Sequence, residues 1–179
     1  LIIWNNMVSS EIVNEGKSNK IFRKTRKKYP KWTKRVVKVR RITKVIKGGK
    51  KLRFGAVVVI GNGNGQVGLG VGKADDVIEA VKKAVNDGKR ELISIPLTKN
   101  YSIPYVVTGK YGAANVIIKP AVAGSGVLAG GSVRTVLELS GIQNISAKQL
   151  GCDNLLNNAR ATVVALKSIK NQNIFNKVN

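Results

Sequence analysis

Lysine and arginine side chains are spaced along residues 35–54 in a pattern that suits the binding of a polyanion. Apolar residues are interspersed with cations on either side of a Gly48-Gly49 pair, which is typical of a β-hairpin with one charged face. A cationic strand surface offers no paired acid and base for catalysis, whereas it neutralises phosphates and releases their condensed counterions. The segment therefore predicts a nucleic-acid interface.

We assign candidate RNA-binding residues to this hairpin, to a basic arm before it and to the turn and strand after it. They are Arg23, Lys24, Arg26, Arg40, Arg41, Lys44, Lys47, Gly48, Gly49, Lys50, Lys51, Arg53, Asn62, Asn64 and Lys73. Residues 47–51 are expected to insert into RNA, because glycine lets the hairpin tip approach phosphates closely.

The charge of the whole chain agrees with a polyanionic partner. Its 32 Lys and Arg residues outnumber 9 Asp and Glu residues, giving a formal net charge of +23 over 179 residues. Self-repulsion at this charge opposes a compact monomer unless a partner supplies negative charge. Nucleic acid fits best, since no basic amphipathic helix that would favour a membrane surface dominates the sequence.

Catalytic and metal-binding chemistry finds little support in the composition. The chain has no histidine, and its single cysteine, Cys152, offers neither an internal disulfide nor a zinc cluster. We interpret Cys152 as a small buried residue, and the lack of disulfides as a sign of a reducing compartment. No enzyme activity, cofactor or metal is predicted, and no apolar run is long enough to span a bilayer.

Three glycine-rich segments resemble nucleotide-binding loops but lie in the wrong context. Residues 63–68 match G-x-G-x-x-G, yet a strand is predicted to follow where a dinucleotide site needs a helix. Gly72-Lys73 lacks both the first glycine of a phosphate loop and the Ser or Thr that holds magnesium. Residues 124–131 lie between a strand and a helix, which leaves nucleotide binding open beside the favoured interpretation, tight packing or contact with RNA phosphate.

The elements that must position the cations form an α+β unit with one covered sheet face. We predict strands at residues 35–46, 52–60 and 66–72, joined by turns at 47–50 and 62–65. A helix starts at Asp75 or Asp76, with the spacing of a capping box to Glu79. The predicted core stripe of this helix is Val77, Val81, Ala84, Val85 and Leu92.

Two features of the predicted strands bear on their packing. The apolar set changes parity after Arg40-Arg41, which suggests a bulge or a twist there. Gly68, Gly70 and Gly72 share one face of the third strand, and a face made only of glycine invites close approach by another backbone or by RNA.

The second half of the chain follows a predicted linker at residues 96–104, beyond which the charge density falls. We expect a strand at 116–119, a glycine-rich loop at 121–131, a helix capped by Ser132 and ending at Gly141, a strand at 144–150 and a helix at 154–170. The predicted organisation is a basic extension at 1–34, a first domain at 35–97, a linker at 98–103, a second domain at 104–170 and a tail at 171–179.

These motifs closely resemble the family of the fifth protein of the bacterial-type small ribosomal subunit. In the first half the resemblance is carried by residues 35–54, 56–61 and 67–74. In the second half it is carried by residues 119–121, 124–131, 133–141 and 157–162. Residues 148–151 and 157–160 are similar to the cyanobacterial and plastid branch of that family.

The resemblance implies both a fold and a function. The first domain is expected to be similar to a double-stranded-RNA-binding fold, with a three-stranded antiparallel sheet and a helix. The second is expected to be a small α/β sandwich with a left-handed βαβ crossover. The implied function is that of a structural constituent of the small ribosomal subunit. The resemblance implies binding to the RNA of that subunit near the decoding region and the channel by which messenger RNA enters. It also implies that the protein supports translational accuracy. The loop that matches residues 47–50 reaches into RNA at the subunit neck.

The resemblance also implies partners and a compartment. The partners are the small-subunit ribosomal RNA, the fourth and eighth proteins of that subunit and messenger RNA, with no membrane and no homo-oligomer. The compartment is the plastid stroma or, alternatively, the bacterial cytoplasm. The second domain is expected to contact protein more than RNA, unless its small apolar segments only fill its own core. Alternative functions are a free-standing double-stranded-RNA chaperone or regulator and a nucleotide-using enzyme.

Overall fold

The computed structural model describes residues 32–169. The candidates Arg23, Lys24 and Arg26, nearly all of the predicted extension at 1–34 and the predicted tail at 171–179 lie outside the described residues. The strands are β1 (Thr33–Ile46), β2 (Gly49–Gly61), β3 (Gln66–Ala74), β4 (Ile93–Ser94), β5 (Val107–Tyr111), β6 (Ala114–Pro120), β7 (Val127–Leu128) and β8 (Ile145–Leu150). The helices are α1 (Val77–Gly88), α2 (Gly131–Ser140) and α3 (Leu155–Lys167).

The first sheet is antiparallel and has the strand order β1-β2-β3-β4. Its three long strands and α1 confirm the predicted α+β unit, and a turn at Lys47 and Gly48 joins β1 to β2 at the predicted place. The fourth strand, β4, was not predicted, because a strand of two residues is too short to show an alternation of apolar and polar residues.

Glycine residues on one face of β3 let α1 lie directly against the sheet. A Cβ atom added to Gly70 would overlap the carbonyl oxygen of Ala84, and Gly68 and Gly72 meet the helix backbone in the same way. The predicted close approach is therefore confirmed, and the backbone that makes it belongs to α1.

The buried face of α1 differs from the predicted stripe. Its buried residues are Ala80, Ala84 and Gly88. Val77 is 39% exposed, and Leu92 lies beyond the end of the helix. Contact between backbones leaves room only for the smallest side chains, so the larger valines lie at the border of the contact.

The start of α1 is correctly predicted, but its cap is not. The helix begins after Asp76, whose side chain makes no capping hydrogen bond, so the predicted capping box with Glu79 does not form. The helix is held in place by its packing on β3 rather than by its N-terminal side chains.

The irregularity in β1 lies earlier than predicted. Pairing with β2 shifts between Val36 and Lys38, which makes Val37 the extra residue, and then continues without a shift through Arg41. The predicted bulge at Arg40-Arg41 is therefore wrong. Beyond Lys38 neither face of β1 is fully buried. The face on which the apolar residues lie therefore does not reveal how this part of β1 pairs with β2.

The second sheet has the strand order β5-β6-β8-β7. Strand β7 runs parallel to β8 and α2 connects them, which forms a βαβ unit; its handedness stays a prediction. Strand β5 was not predicted, because Gly109 interrupts the alternation of its apolar residues. The structure shows why a glycine stands there: a Cβ atom at Gly109 would overlap the carbonyl oxygen of Ala161 in α3.

The N-termini of α2 and α3 are capped in different ways. Helix α2 begins after Gly130, so the predicted cap, Ser132, lies inside the helix, where its hydroxyl accepts a hydrogen bond from Gln149 at 3.2 Å. Helix α3 has a side-chain cap, since Asn154 accepts from the amide of Leu156 at 3.2 Å. Gly141 ends α2 in the left-handed conformation, as predicted.

One hydrophobic core joins the two sheets. Val57 and Val59 of β2 and Leu69 of β3 belong to the same buried cluster as Val136 and Leu137 of α2. Strand β2 is thus buried on both faces near its end, as its unbroken apolar run predicts. The expectation that only one face of the first sheet is covered is wrong, because α2 and α3 cover part of the other.

The segment predicted as a linker at 98–103 is anchored to the second half of the chain. Ile103 is 2% exposed, and the hydroxyl of Ser102 donates to the carbonyl oxygen of Asn144 at 2.7 Å. The side-chain amide of Asn144 donates in turn to the carbonyl oxygen of Asn100 at 2.8 Å. These bonds fix the segment against the loop before β8.

Glu138 of α2 forms an ionic link to β1. It accepts a hydrogen bond from Arg134 at 2.7 Å and pairs with Arg35 of β1. The bond from Arg134, opposed by partial desolvation and helped by Arg35, holds the pKa of the Glu138 carboxyl below its usual value. The carboxylate therefore stays charged and joins the edge of the first sheet to α2.

We expect Gly70→Ala to destabilise the protein strongly, because the added methyl group would overlap the backbone of α1. The free energy of unfolding should fall by at least about 2 kcal/mol, measured by urea titration with circular dichroism. The control is Gly131→Ala, where an added Cβ atom meets open space, and which should be neutral or stabilising by up to about 1 kcal/mol. Equal effects of the two substitutions would contradict the backbone contact.

Candidate nucleic-acid interface

The hairpin of β1 and β2 extends beyond the rest of the first sheet. Strand β3 pairs with β2 only from Phe54 to Gly61, so residues 42–53 form a two-stranded arm, which we call the arm. At its tip Gly48 and Gly49 have φ angles of 93° and 153°, and an added Cβ atom would meet nothing within 4 Å at either position. The tip is therefore unobstructed by the described residues.

The strand register divides the cations of the hairpin between two faces. Residues paired across strands share a face, and Ala56 and Val58 mark the face on which α1 lies. The opposite face carries a continuous set of exposed or half-exposed cations, which we call the basic face. It consists of Lys38, Arg40, Lys44, Lys51, Arg53 and Lys73.

The other face of the arm mixes cations with apolar side chains. Arg41 and Lys50 lie there with Val45 and Leu52, which are 74% and 43% exposed. The structure therefore does not bring Arg41 and Lys50 together with the basic face. A nucleic acid that contacts both sets, and Lys47 at the tip, has to enclose the arm.

Asn62 and Asn64 lie at the opposite end of β2 from the tip of the arm. The length of β2 separates them from it by about 40 Å at about 3.3 Å per residue. The Asn62 side-chain oxygen accepts from the amides of Asn64 at 2.8 Å and Gln66 at 3.1 Å. The structure gives Asn62 a part in closing this turn and does not bring either asparagine to the basic face.

Lys38 belongs to the basic face but is absent from the predicted set. It is exposed and pairs with Val57, which places it two residues from Arg40 on the same face. Since alternate residues of a strand lie on the same face, counting back two residues from Arg40 identifies Lys38 from the sequence.

One carboxylate lies at the edge of the basic face. Asp75 accepts from the Arg53 side chain at 2.8 Å, and its other oxygen lies 3.4 Å from the Lys51 amino group. Desolvation opposes ionisation, but the charges and hydrogen bonds of Lys51 and Arg53 outweigh it and lower the pKa of the Asp75 carboxyl. Asp75 is therefore an internal anion that competes with phosphate for two predicted RNA-binding residues.

The arrangement suits binding rather than catalysis. Among residues 32–169, no group of three or more His, Cys, Asp or Glu side chains is placed to hold a metal ion. Within the same range, no helix combines the length and the hydrophobicity needed to cross a membrane. What the basic face offers is a row of hydrogen-bond donors with positive charge, the chemistry that neutralises phosphate.

Two known family descriptions match most of the chain. "Ribosomal protein S5, N-terminal domain" matches residues 32–96, which include the arm and the basic face. "Ribosomal protein S5, C-terminal domain" matches residues 109–177. The two matches occur in the order expected from the resemblance.

Curated proteins from algae and a cyanobacterium show the same likeness. The chain is 61% identical over 159 residues to the small ribosomal subunit protein uS5c of Guillardia theta, covering 89% of this chain and 92% of that protein. It is 59% identical over 157 residues to uS5c of Rhodomonas salina, with coverage of 88% and 91%. It is 59% identical over 147 residues to uS5 of Gloeothece citriformis, with coverage of 82% and 85%.

We expect Asp75→Asn to strengthen RNA binding, because Lys51 and Arg53 would become free to contact phosphate. The dissociation constant for an RNA duplex of about 16 base pairs should fall by about two- to fivefold, the scale of one exposed ion pair. Fluorescence anisotropy at several salt concentrations would measure both this change and a steeper salt dependence.

The matched control is Asp76→Asn, which changes the charge equally at the next residue. Asp76 takes part in none of the ion pairs among the described residues. If both variants gain affinity to the same extent, the effect is one of net charge, and competition by Asp75 is disproved.

Proposed function

The chain belongs to the ribosomal protein S5 family, and from that membership we propose that it is a structural constituent of the small ribosomal subunit. Its relatives are ribosomal proteins and not enzymes. Within the subunit it assembles with ribosomal RNA and other ribosomal proteins. The basic face and the projecting arm are the observation that carries this proposal.

The arm and the basic face supply the RNA contacts. The described candidates on them are Arg40, Arg41, Lys44, Lys47, Gly48, Gly49, Lys50, Lys51, Arg53 and Lys73. Lys38 joins this set by its position on the basic face. The terminal candidates Arg23, Lys24 and Arg26 add cations before β1, whereas Asn62 and Asn64 reach RNA only if it also covers the far end of the sheet.

What the family resemblance implies supports a proposed place for the chain in the subunit. It binds RNA near the decoding region and the channel by which messenger RNA enters, with the turn at residues 47–50 inserted at the subunit neck, and it supports translational accuracy. The unobstructed tip of the arm favours insertion, because an added Cβ atom at either glycine would meet nothing within 4 Å.

The second half of the chain contacts protein neighbours, of which the fourth and eighth proteins of the subunit are the proposed ones. Ala114 is fully buried and fills the core of this half, whereas Val122 and Leu128 are 82% and 61% exposed. Exposed apolar side chains that lie apart from the basic face suit a protein surface better than phosphate.

The plastid is the proposed compartment. The relatives named uS5c are plastid proteins, and the relative from Gloeothece citriformis is cyanobacterial. A ribosome of the plastid stroma is therefore the setting in which the RNA and protein contacts are to be sought.

We expect the tagged full chain to sediment with small ribosomal subunits, and Lys47→Ala/Lys50→Ala/Lys51→Ala to weaken its RNA binding. The slope of log affinity for small-subunit RNA against log salt should flatten by up to about 0.9 for each phosphate that the variant no longer neutralises. A sucrose gradient and filter binding at several salt concentrations would measure the two effects.

Lys82→Ala/Lys83→Ala/Lys89→Ala removes the same charge from exposed positions in and after α1 and is the control. An unchanged salt slope in the hairpin variant would disprove insertion of the arm. A parent chain that binds RNA duplexes but stays at the top of the gradient would identify a free-standing RNA-binding protein instead.

We expect cross-links within assembled subunits to divide between the two halves of the chain. Residues 23–73 should link mainly to RNA, because they include the basic face and the cations that precede it in the sequence, and residues 105–170 mainly to protein. Mass spectrometry of ultraviolet and lysine-reactive cross-links would measure the division. Equal RNA cross-linking of both halves would refute it.

A further inference from the structure

A gap separates two cations in the middle of the basic face. Arg40 of β1 and Lys73 of β3 both pair with Gly55 of β2, so the three residues form one row across the sheet. Because Gly55 has no side chain, the row has a cation at each end and a notch between them.

The notch opens into an apolar cavity of about 250 Å³. Its walls are the side chains of Ile42, Val57 and Val71, which lie on the same face of the sheet as the two cations. Leu156, from the first turn of α3, lines it as well. The cavity therefore lies between the first sheet and the second half of the chain, and its side towards the basic face is rimmed by positive charge.

The chemistry of the notch selects its ligand. Phosphate alone would satisfy Arg40 and Lys73 but would leave apolar walls beside an anion, which is unfavourable. An apolar side chain of another protein would fill the walls but would leave two cations without partners. A nucleotide whose base has left its stack supplies both a flat apolar ring and flanking phosphates.

We propose that this notch binds one unstacked nucleobase of the RNA, with the adjacent phosphates held by Arg40 and Lys73. This inference rests on the proposed function, since it needs RNA on the basic face. The cavity is somewhat smaller than the roughly 300 Å³ or more of sites for whole small molecules, which suits a base rather than a complete cofactor. Arg40 can also lay its planar guanidinium against the ring.

The notch binds the base without reading its identity. Apart from Arg40 and Lys73, the side chains that line it are apolar, so no pair of donor and acceptor matches one base edge. Stacking and burial are tolerant of sequence because every base has a π-face. The site therefore requires a base but accepts any of the four.

The test uses the full chain and three RNA stems that differ in one position. The first stem is fully paired, the second has one bulged uridine, and the third has an abasic residue in the bulge. The bulged stem should bind at least about fivefold more tightly than the paired stem, which is the lower limit for stacking of one base. The abasic stem should bind as the paired stem does, and replacing uridine by another base should change little.

Gly55→Leu fills the notch and keeps every cation. Its Cβ atom is crowded only by the flexible end of Ile42, at 2.9 Å, and meets the carbonyl oxygen of Arg40 at an ordinary 3.9 Å. The fold should therefore be kept, as circular dichroism would check. The variant should bind paired RNA as the parent does and lose the preference for the bulge. Thr43→Leu, an exposed position on the opposite face of the arm, is the control and should keep it.

A second measurement reports on the base itself rather than on affinity. With 2-aminopurine in the bulge, the parent chain should change the fluorescence of the base, and Gly55→Leu should not. Equal affinity of the parent for bulged and abasic stems, or a kept preference in Gly55→Leu, would overturn the base-binding site while RNA binding stands. Failure of the parent to bind any of the stems would overturn both this inference and RNA binding by the basic face.

Discussion

The contact between α1 and β3, backbone against backbone, is the constraint on which the rest of the structure depends. Because Gly70 and its neighbours on that face have no side chains, the helix lies over β3 and β2 and hardly reaches β1. The outer part of the β1–β2 hairpin is thus left free to carry cations. The apolar side chains on the opposite face of β2 need another layer to bury them, and α2 supplies part of that layer.

A net charge of +23 is compatible with this fold because the cations lie where the core does not need them. The basic face and the arm occupy the part of the sheet that α1 and α2 leave uncovered. Two cations that lie near packed elements are paired with carboxylates: Arg35 with Glu138, and Arg53 with Asp75. The repulsion that remains favours an anionic partner, so binding of RNA should stabilise the fold as well as form the complex.

Sequence patterns predicted the features that depend on local chemistry and missed those that depend on packing. The Gly48-Gly49 turn, the glycine face of β3 and the left-handed cap at Gly141 each follow from backbone freedom at named positions. The buried face of α1 does not, because valines dominate its hydrophobicity while the contact selects Ala and Gly. Likewise the sequence assigns Asn62 both to a turn and to the RNA-binding set, and its bonds to the next residues show that its side-chain oxygen serves the turn. The shared core was signalled by the doubly apolar run of β2, but its partner, α2, could not be named without the fold.

Strand β2 connects RNA binding to the orientation of the whole molecule. It runs from the tip of the arm to a turn whose amides, at Gly63 and Gly65, donate to the carbonyl oxygens of Leu139 and Ser140 in α2. From Ala56 to Gly61 it is buried on both faces, so a shift of the strand would disturb two packed clusters at once. RNA that grips the arm therefore fixes the second half of the chain as well. An arm joined flexibly to the rest of the chain would contribute only affinity for RNA. Because β2 connects the arm rigidly to the packed clusters, RNA bound to the arm also sets the orientation of the protein surfaces relative to the RNA. Fixing such orientations is what a structural constituent contributes to a ribonucleoprotein particle.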